Sequence, residues 1–323
     1  MESNGEQQRE NGPGAKPTVC FLGPVSSYTH QATLNTFPTD KFDFLPVDTI
    51  KDIFDTTQSG RAACGVVPFE NSSNGSVVFT LDQFADRGGE YPDLSVCAEI
   101  YLDVHHCLVG RKGQAQDLEH VKRVYSHPQA FGQCTKFLRA NLRGVETVDV
   151  SSTSRAATLA KEDPAGTSAA ISSATAAQML GLDILARNVE DREDNTTRFF
   201  VLRRGDSSSP TPIPGLEDVL SNRQRKDVDG DVYSQTKSLA SFTVPHRAPG
   251  ALASVLECFR HARLNLTSIN SRPSLAQPFQ YVFFVEFEGH RLRDPEGRVR
   301  DALVSVDGVA QSCRWWGSWD NMR

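Results

Sequence analysis

A short apolar run, a polar turn and a helical pattern follow one another repeatedly along the first two thirds of the chain. The apolar runs occupy residues 19–22, 64–67, 121–125, 147–150 and 169–171. The helical patterns after them run through Leu34, residues 77–84, Leu138, Ala160 and Leu180, and Gly181 is placed to end the last one. Alternating strands and helices of this length are typical of βα units, so the pattern predicts an α/β fold with a largely parallel sheet.

The turns between these strands and helices are rich in Ser, Asn, Gly and Pro. In parallel sheets, ligands bind beyond the carboxyl ends of the strands, where these turns lie. Each turn also begins a helix, so unpaired N–H groups and the positive ends of helix dipoles face one crevice. Such a crevice suits a small anion, and a substrate with two carboxylates better still. A single Ser or Asn has an alternative role as a helix N-cap, and Ser126 with Gln129 fits a capping box that has Pro128 in its first turn.

The pattern changes after residue 204. Residues 205–236 are rich in Pro and Ser and then in charge, which predicts a linker or a long exposed loop. From residue 237 the pattern becomes β-α-β-β-α-β, with strands at 238–244, 264–270, 281–287 and 309–316 and helices at 250–261 and 293–305. This is the ferredoxin-like order. Trp315, Trp316 and Trp319 are expected to be packing or interface aromatics.

The composition mainly excludes classes of function. The 323 residues carry 34 Lys+Arg against 40 Asp+Glu, a net charge of −6, and this mild acidity disfavours nucleic-acid binding. No apolar run approaches the roughly 18 residues of a membrane span. The seven cysteines are dispersed without a C-x-x-C pair, which is typical of reduced thiols in a reducing compartment. Residues 1–17 lack the features of a secretory signal or a transit peptide, so they are expected to be a disordered lead-in to a cytoplasmic protein.

Metal and cofactor motifs are missing from the sequence. His105 and His106 are adjacent on an expected strand, so their side chains point to opposite faces and cannot share a metal. Neither a Walker loop nor a G-x-G-x-x-G is present. We therefore expect no metal and no cofactor. The acidic run at residues 190–194 has two interpretations, a solvated loop or a source of a carboxylic acid for the site.

Four segments, in order along the chain, resemble the motifs of a known family. They read FLGPVSSYTHQA (residues 21–32), GVVPFENSSNGS (65–76), SHPQAFGQC (126–134) and NTTRFFVL (195–202). Two shorter segments follow at residues 250–256 and 271–273. Together and in this order they resemble the prephenate dehydratases that have a C-terminal ACT regulatory domain. The resemblance covers nearly the whole chain, from Val19 to about Trp316.

The resemblance implies a catalytic region of two lobes, similar to periplasmic binding proteins of type II, followed by a ferredoxin-like ACT domain. It places the catalytic domain at residues 18–204, with lobe 1 at about 18–103 and 188–204 and lobe 2 at about 104–187. The linker then occupies residues 205–236 and the ACT domain residues 237–323. A monofunctional enzyme is also implied, since residues 1–17 are too few for the helices of a chorismate mutase portion.

Prephenate carries two carboxylates, and loss of CO₂ with departure of its ring hydroxyl gives phenylpyruvate, a step of L-phenylalanine and hence of aromatic amino acid biosynthesis. The resemblance implies that this chain is a lyase without a cofactor. The catalytic residues that it implies are Thr197, the general acid, and the substrate-orienting Asn71, Ser126 and Gln133. The expected substrate-binding residues are Ser27, Glu70, Ser72, Arg198 and Phe199. Family members usually have Gly-Thr where this chain has Ser26-Ser27, and serine keeps the hydroxyl but loses the glycine's backbone freedom.

Feedback inhibition by L-phenylalanine is also implied, because ACT domains bind small amino acids at interfaces between subunits. The expected effector site consists of Gly250, Ala251 and Leu252 at a helix N-terminus, together with Asn270, Ser271, Arg272 and Pro273. The family usually has Glu at the position of Asn270, so recognition of the effector's ammonium group is expected to be weaker here. A homodimer or a homotetramer follows from the same resemblance.

Two alternative functions stay open. An arogenate dehydratase performs the same chemistry on the amino-acid form of the side chain, and the sequence does not separate the two substrates. A non-catalytic amino-acid sensor would combine a binding-protein-like fold with an ACT domain, but the intact NTTRF segment at residues 195–199 argues against it. The expected partners are therefore the small-molecule substrate prephenate and L-phenylalanine, with no nucleic acid and no membrane.

Overall fold

Two β-sheets organise the computed structural model, which describes residues 16–113, 118–205, 213–221, 231–245 and 247–323. Its strands, in chain order, are β1 (Thr18–Leu22), β2 (Asp43–Val47), β3 (Cys64–Asn71), β4 (Gly75–Ser76), β5 (Leu94–Asp103), β6 (Cys107–Gly110), β7 (Arg123–Ser126), β8 (Glu146–Asp149), β9 (Ser168–Ser172), β10 (Asp183–Arg187), β11 (Thr196–Arg204), β12 (Thr236–Thr243), β13 (Leu266–Pro273), β14 (Tyr281–Glu288) and β15 (Ser312–Asp320). Its helices are α1 (Tyr28–Thr36), α2 (Ile50–Gln58), α3 (Val78–Phe84), α4 (Pro128–Gly132), α5 (Thr135–Asn141), α6 (Thr153–Glu162), α7 (Ala174–Leu180), α8 (Leu216–Ser221), α9 (Ala251–His261) and α10 (Arg298–Val309). Within the described residues, none of these helices combines the length and the apolar character that a membrane crossing requires.

The two sheets define two lobes and a C-terminal domain. The larger sheet has the strand order β13-β14-β12-β15-β5-β11-β3-β1-β2, with β4 paired to β3, and its half from β5 to β2 forms the first lobe. The smaller sheet, β10-β6-β9-β7-β8, forms the second lobe. The chain passes from the first lobe to the second between β5 and β6, and it returns between β10 and β11. This is the two-lobed α/β fold that the family resemblance implies.

The sheets are mixed rather than largely parallel. Strand β1 pairs in parallel with β2 and β3, and β7 pairs in parallel with β8 and β9. Strand β11, by contrast, is antiparallel to both β3 and β5. Parallel neighbours need a crossover connection, whereas β11 enters the first sheet directly from the second lobe and is free to run antiparallel. The prediction of a largely parallel sheet is therefore only half right.

Side-chain caps begin several helices at the turns that the sequence pattern marks. Ser27, Ser152 and Ser173 each accept a hydrogen bond from the backbone N–H three positions further on. Thr49 does the same for α2, a helix that the sequence pattern did not predict. Gly181 ends α7 with a φ of 68°, a left-handed conformation that glycine adopts without strain. These features were predictable because a cap depends only on residues within one turn of the helix.

The helix predicted through Leu138 is two short helices, α4 and α5, which meet at Cys134. His127 begins α4, because its side chain accepts a hydrogen bond from the N–H of Gln129. Ser126 is instead the last residue of β7. The predicted capping box at Ser126 is therefore wrong, although Pro128 does lie in the first turn, as expected.

The C-terminal domain has the ferredoxin-like βαββαβ arrangement that the sequence predicts. Its strands β13-β14-β12-β15 are antiparallel throughout. Helix α10 begins five residues later than expected, because Gly297, with a φ of 73°, ends a turn directly before it. Part of the predicted linker is helix α8, while residues 206–212 and 222–230 lie outside the described residues. The predicted N-terminal lead-in also lies outside them up to residue 15.

The C-terminal domain joins the first lobe through β15, which lies beside β5 at Gly317 and Val96. Gly317 has a φ of 143°, and a Cβ atom there would collide with the backbone of Val96, so only glycine fits this contact. Trp316 and Trp319 reach across the junction, with ring centroids 4.9 Å from Phe84 and 5.0 Å from Phe200 respectively. The hydrophobic core is thus continuous from the first lobe into the C-terminal domain, and these two tryptophans pack as predicted.

Candidate active site

Asn71 and Thr197 face each other where two strands of the first lobe meet. Asn71 is the last residue of β3, Thr197 is the second residue of β11, and the antiparallel register pairs them directly. The Nδ2 atom of Asn71 donates a hydrogen bond of 3.0 Å to Oγ1 of Thr197. Two of the four predicted catalytic residues, 126 positions apart in the sequence, therefore lie in contact.

The orientation of the Asn71 amide follows from its other partners. Its Oδ1 atom accepts hydrogen bonds of 3.0 Å from the backbone N–H groups of Ser73 and Asn74, which only the oxygen of the amide can do. The nitrogen must then face Thr197, so the threonine oxygen acts as the acceptor in this pair. Among the described residues, nothing accepts the remaining proton of the Thr197 hydroxyl, and it is available to a ligand.

Gln133 supplies the side chain from the second lobe. Its Oε1 atom accepts hydrogen bonds from Nδ2 of Asn195, at 3.1 Å, and from Nε2 of His106, at 2.8 Å. Asn195 in turn accepts a hydrogen bond of 2.8 Å from Asn71. Because the side-chain oxygen of Gln133 already accepts two hydrogen bonds, its NH₂ group is left as a donor toward the cleft. Gln133 lies at the C-cap of α4, inside the single helix that the sequence pattern predicts through Leu138.

Tyr28 and His106 complete this hydrogen-bonded chain. The hydroxyl of Tyr28 lies 2.7 Å from Nδ1 of His106 and 3.1 Å from the carbonyl oxygen of His105. His106 is buried, and burial lowers its pKa below the ordinary value, although the hydrogen bond with Gln133 opposes the shift. His106 is thus neutral near pH 7, and it holds Gln133 by donating from Nε2. His105 points elsewhere, to Glu190 at 2.9 Å.

The acidic run after β10 is neither simply solvated nor a source of acid for Thr197. The Glu190 side chain is only 2% exposed, and its carboxylate accepts the N–H of His106 at 2.8 Å. The carboxylate of Asp191 accepts hydrogen bonds from the backbone N–H groups of Thr135 and Lys136 at the start of α5. Both carboxylates are committed to holding the second lobe against the return segment.

A cavity of about 350 Å³ lies between the two lobes beside this network. Ser73, Asn74, Gln129, Gly132, Gln133, Glu190, Asp191, Arg192 and Asn195 line it. Its size falls within the usual range for sites that bind small molecules, roughly 300–1,000 Å³. Of these described lining residues, Arg192 alone is cationic, and its side chain is largely exposed, with Asp194 as its ion-pair partner at 2.7 Å. The cavity therefore offers uncharged donors from both lobes and one guanidinium, beside the two acidic residues Glu190 and Asp191.

Two predicted site residues lie inside the protein rather than in the cleft. Ser126 is fully buried, and its hydroxyl donates to the carbonyl oxygen of Ile171, which fixes β7 against β9. Phe199 is 1% exposed and belongs to the core that also contains Phe21 and Ala32. Contact of either side chain with a substrate does not fit this arrangement, because the sheet covers both of them.

Arg198 also points away from the cleft. Successive residues of a strand face opposite sides of the sheet, so Arg198 and its cross-strand neighbour Glu70 lie on the face opposite to Thr197. The guanidinium of Arg198 is buried between Glu99, at 2.7 Å, and Glu286, at 2.5 Å. The expectation that Arg198 binds a substrate carboxylate is thus wrong for this structure, and Glu70 is on the wrong face for the same reason.

The two remaining substrate-binding predictions concern Ser27, which precedes α1, and Ser72, which follows β3. The hydroxyl of Ser27 donates to Leu22 and accepts from His30, so it caps α1. Ser26 before it has a φ of 81°, which explains why a glycine suits this position. The hydroxyl of Ser72 donates to the carbonyl oxygen of Asp194 and accepts the N–H of Thr196, so it closes the β3–β11 pair beside Asn71.

The predicted effector residues lie on two elements of the C-terminal domain. Gly250, with a φ of 80°, precedes α9, whose first residues are Ala251 and Leu252. On β13, Asn270 accepts a hydrogen bond of 2.8 Å from Ser76 of the first lobe. The guanidinium of Arg272 binds both carboxylate oxygens of Asp82, at 2.9 and 3.0 Å. Ser271 and Pro273 are exposed on the other face of the strand.

Sequence reasoning missed the side chains of Tyr28, His106 and Asn195. Tyr28 and Asn195 lie within the segments that carry the family resemblance, and nothing local marks their roles. His106 is separated by 27 and 78 residues from the two side chains that it joins. Only the tertiary fold reveals these partners.

An α/β unit of two lobes, with hydrogen-bonding side chains from both lobes around the cavity between them, belongs to the class of proteins that enclose a small polar ligand in a cleft. Comparison with known proteins narrows this class. The family model for prephenate dehydratase matches residues 19–207. The chain therefore belongs to the prephenate dehydratase family.

Three known proteins show how far the similarity extends. The bifunctional chorismate mutase/prephenate dehydratase of Aquifex aeolicus (strain VF5) is 36% identical over 304 residues, which are 94% of this chain and 74% of that protein. The prephenate dehydratase of Methanocaldococcus jannaschii is 30% identical over 277 residues, 84% of this chain and 89% of that one. The crystal structure of prephenate dehydratase from Arthrobacter aurescens in complex with L-Phe aligns with a TM-score of 0.77 at 28% identity, covering 94% and 90% of the two chains. The similarity thus includes both lobes and the C-terminal domain.

Proposed function

We propose that this member of the family is a prephenate dehydratase, a lyase that converts prephenate into phenylpyruvate, CO₂ and water. The observation that carries the proposal is the pair of Asn71 and Thr197. Asn71 donates to the threonine oxygen at 3.0 Å, which leaves the hydroxyl proton of Thr197 for a ligand, and the neighbouring Asn195 lines the cavity between the lobes. A single oriented proton donor is what the departing ring hydroxyl of prephenate requires.

The proposed reaction breaks two bonds of the ring. The electron pair of the bond between C1 and its carboxylate moves into the ring as CO₂ leaves, and the C4 hydroxyl departs with its bonding pair. Thr197 donates its proton to this hydroxyl, which leaves as water, and a solvent proton then restores the threonine. A threonine hydroxyl is a weak acid, but aromatisation supplies the driving force. The N–H of Asn71 stabilises the negative charge that develops on Oγ1 of Thr197.

The carboxylates of the substrate need donors that the structure leaves unused. The NH₂ group of Gln133 faces the cleft, and the Arg192 guanidinium lies on its wall. We assign the side-chain carboxylate to Arg192, in place of Arg198, because a guanidinium binds a carboxylate through two parallel hydrogen bonds. Exchange of the exposed Asp194 for the substrate as ion-pair partner costs little, because solvent screens an exposed ion pair.

The test is formation of phenylpyruvate by the purified protein, followed by its ultraviolet absorbance, with prephenate and L-arogenate compared in parallel. The proposal predicts turnover of prephenate with the larger kcat/KM. A larger kcat/KM for arogenate would instead make the protein an arogenate dehydratase. Absence of product from both substrates, together with calorimetric binding of L-phenylalanine, would identify a non-catalytic sensor and overturn the proposal.

We further propose that the C-terminal domain is an ACT domain and that L-phenylalanine is a feedback inhibitor. The Arthrobacter aurescens relative supports this proposal, because its solved structure is a complex with L-Phe. Titration with L-phenylalanine is expected to lower the rate of phenylpyruvate formation, and an unchanged rate up to millimolar effector would contradict it. Assembly as a homodimer or a homotetramer stays a prediction, which light scattering of the purified protein tests.

A further inference from the structure

Four buried charged side chains meet where the C-terminal domain joins the first lobe. The first lobe contributes Glu99 on β5 and Arg198 on β11, and the C-terminal domain contributes Lys237 on β12 and Glu286 on β14. Their side chains are between 0% and 9% exposed. Two positive and two negative charges give a cluster with no net charge. We call these four residues the junction cluster.

The shortest contacts of the junction cluster centre on Arg198. Its Nη2 atom lies 2.7 Å from Glu99 and 2.5 Å from Glu286, while Lys237 is 3.5 and 3.6 Å from the same two carboxylates. Burial on its own would raise the pKa of Glu99, but Arg198 and Lys237 outweigh it and hold that pKa below the ordinary value. Both acids are thus ion-pair partners, and one of the two partners of Arg198 belongs to the C-terminal domain.

Contacts other than these ion pairs also restrict the Arg198 side chain. Its guanidinium lies against the rings of Phe200, Phe69 and Tyr101, at 4.9, 5.5 and 5.8 Å. The carboxylate of Glu286 is itself fixed, because Oε1 accepts a hydrogen bond of 2.7 Å from the hydroxyl of Thr267. The position of Arg198 is therefore determined by a residue of the C-terminal domain as well as by its own strand.

The backbone next to Arg198 carries the predicted acid, Thr197. The pairing of β11 with β3 shifts register directly after Arg198, while the pairing of β11 with β5 stays regular from Thr196 to Val201. The irregularity therefore lies on the side of β3, the strand whose Asn71 makes the 3.0 Å hydrogen bond with Thr197. An anchored Arg198 side chain adds to the β5 pairing in holding this segment of β11 in place beside β3.

We propose that Glu286 is a positioning residue for the reaction, which acts through Arg198 to hold Thr197 in hydrogen-bonding reach of Asn71. This inference rests on the proposed function of the cleft. It makes the C-terminal domain part of the support of the active site in addition to any regulatory role. A second contact, between Ser76 and Asn270, connects the same domain to the β3–β4 hairpin that carries Asn71.

The first test is the Glu286→Gln variant of the full chain, assayed on prephenate with its thermal unfolding measured in parallel. Gln keeps the shape of the side chain but removes the charge, and a small displacement of Thr197 is costly to the chemical step. We expect kcat to fall roughly 10- to 100-fold while KM changes less than about two-fold. The matched control is Glu257→Gln on α9, an exposed residue outside the cluster, for which kcat stays at the parent value.

The second test separates positioning from stability. Glu286→Gln leaves an uncompensated buried cation, and the double variant Glu286→Gln/Lys237→Met removes it. We expect the double variant to regain the melting temperature of the parent while kcat stays low, because Arg198 still lacks its partner. Recovery of kcat together with the melting temperature would overturn the inference, since the effect would then be one of stability alone.

A milder variant covers the case in which Glu286→Gln fails to fold. Thr267→Val keeps all four charges and removes only the hydroxyl that holds Glu286, and we expect kcat to fall roughly two- to ten-fold at unchanged KM. Parent activity in a folded Glu286→Gln or Thr267→Val protein would overturn the inference and leave the proposed function intact. Absence of turnover in the parent chain would overturn both.

Discussion

Replacing Asn71 with Asp exchanges the Nδ2 atom of the side-chain amide for a carboxylate oxygen and leaves the side chain the same size. One carboxylate oxygen still accepts the N–H groups of Ser73 and Asn74. The other oxygen now faces Oγ1 of Thr197, at the 3.0 Å where the amide nitrogen donated. The threonine hydroxyl then donates its proton to the introduced carboxylate instead of to the substrate, and the charge that develops on Thr197 loses its donor.

The magnitude follows from the kind of interaction that is lost. Removal of one donor to a developing oxyanion costs about 2.7–4 kcal/mol in the transition state, a roughly 10²–10³-fold loss of kcat. Asn71→Ala also removes the donor, but it leaves the proton of Thr197 available, so we expect its loss to be smaller than that of Asn71→Asp. The order of the two variants is therefore as informative as the size of either effect.

The assay is the initial rate of phenylpyruvate formation, with circular dichroism used to establish that both variants are folded. The introduced carboxylate also faces the oxygens of Asn195 and Thr196, so a modest loss of stability of about 1–3 kcal/mol accompanies the change. An Asn71→Asp protein that keeps kcat within a few-fold of the parent, or that is more active than Asn71→Ala, would refute the assigned direction of this hydrogen bond.

Two further predictions concern the C-terminal domain. Gly317→Ala places a Cβ against the backbone of Val96, so we expect the free energy of unfolding in chemical denaturation to fall by about 1–3 kcal/mol. The control Gly308→Ala adds its Cβ in open space and is not expected to destabilise the protein. Equal stabilities of the two variants would contradict the close contact between β15 and β5. Burial, followed by the charge of Arg293, lowers the pKa of His290 to about 4. The folded protein thus favours the neutral ring of His290. The contribution of His290 to stability is complete above the unfolded pKa of about 6.5, and it is lost as pH falls toward 4. The melting temperature of His290→Gln is therefore expected to fall less between pH 7 and 4.5 than that of the parent, and equal falls would show that His290 does not contribute.

Features that depend on neighbouring residues were predictable from the sequence. The cap at Ser27 and the helix end at Gly181 are decided within one turn, and the βαββαβ order follows from the periods of the apolar positions. The contact of Thr197 with Asn71 was predictable only through the family resemblance, because no local pattern places two strand ends side by side.

The errors have a common physical cause. A motif in the sequence is contiguous, but a strand turns alternate residues to opposite faces. Thr197 therefore contacts Asn71, while Arg198 faces the C-terminal domain. Ser126 likewise ends a central strand, and its hydroxyl donates its hydrogen bond to the carbonyl oxygen of Ile171. The partners of Arg198 and His106 come from distant segments, and their pairing depends on how the lobes and the C-terminal domain pack.

The most direct test of the central claim compares kcat for prephenate in Thr197→Ser and Thr197→Val, both verified as folded by their melting temperatures. Serine keeps the hydroxyl that accepts from Asn71, and valine keeps the shape but has no proton to donate. We predict that Thr197→Ser keeps measurable turnover, while Thr197→Val loses roughly 10²–10⁴-fold in kcat, the contribution of a general acid. A folded Thr197→Val protein with the kcat of the parent would contradict the account.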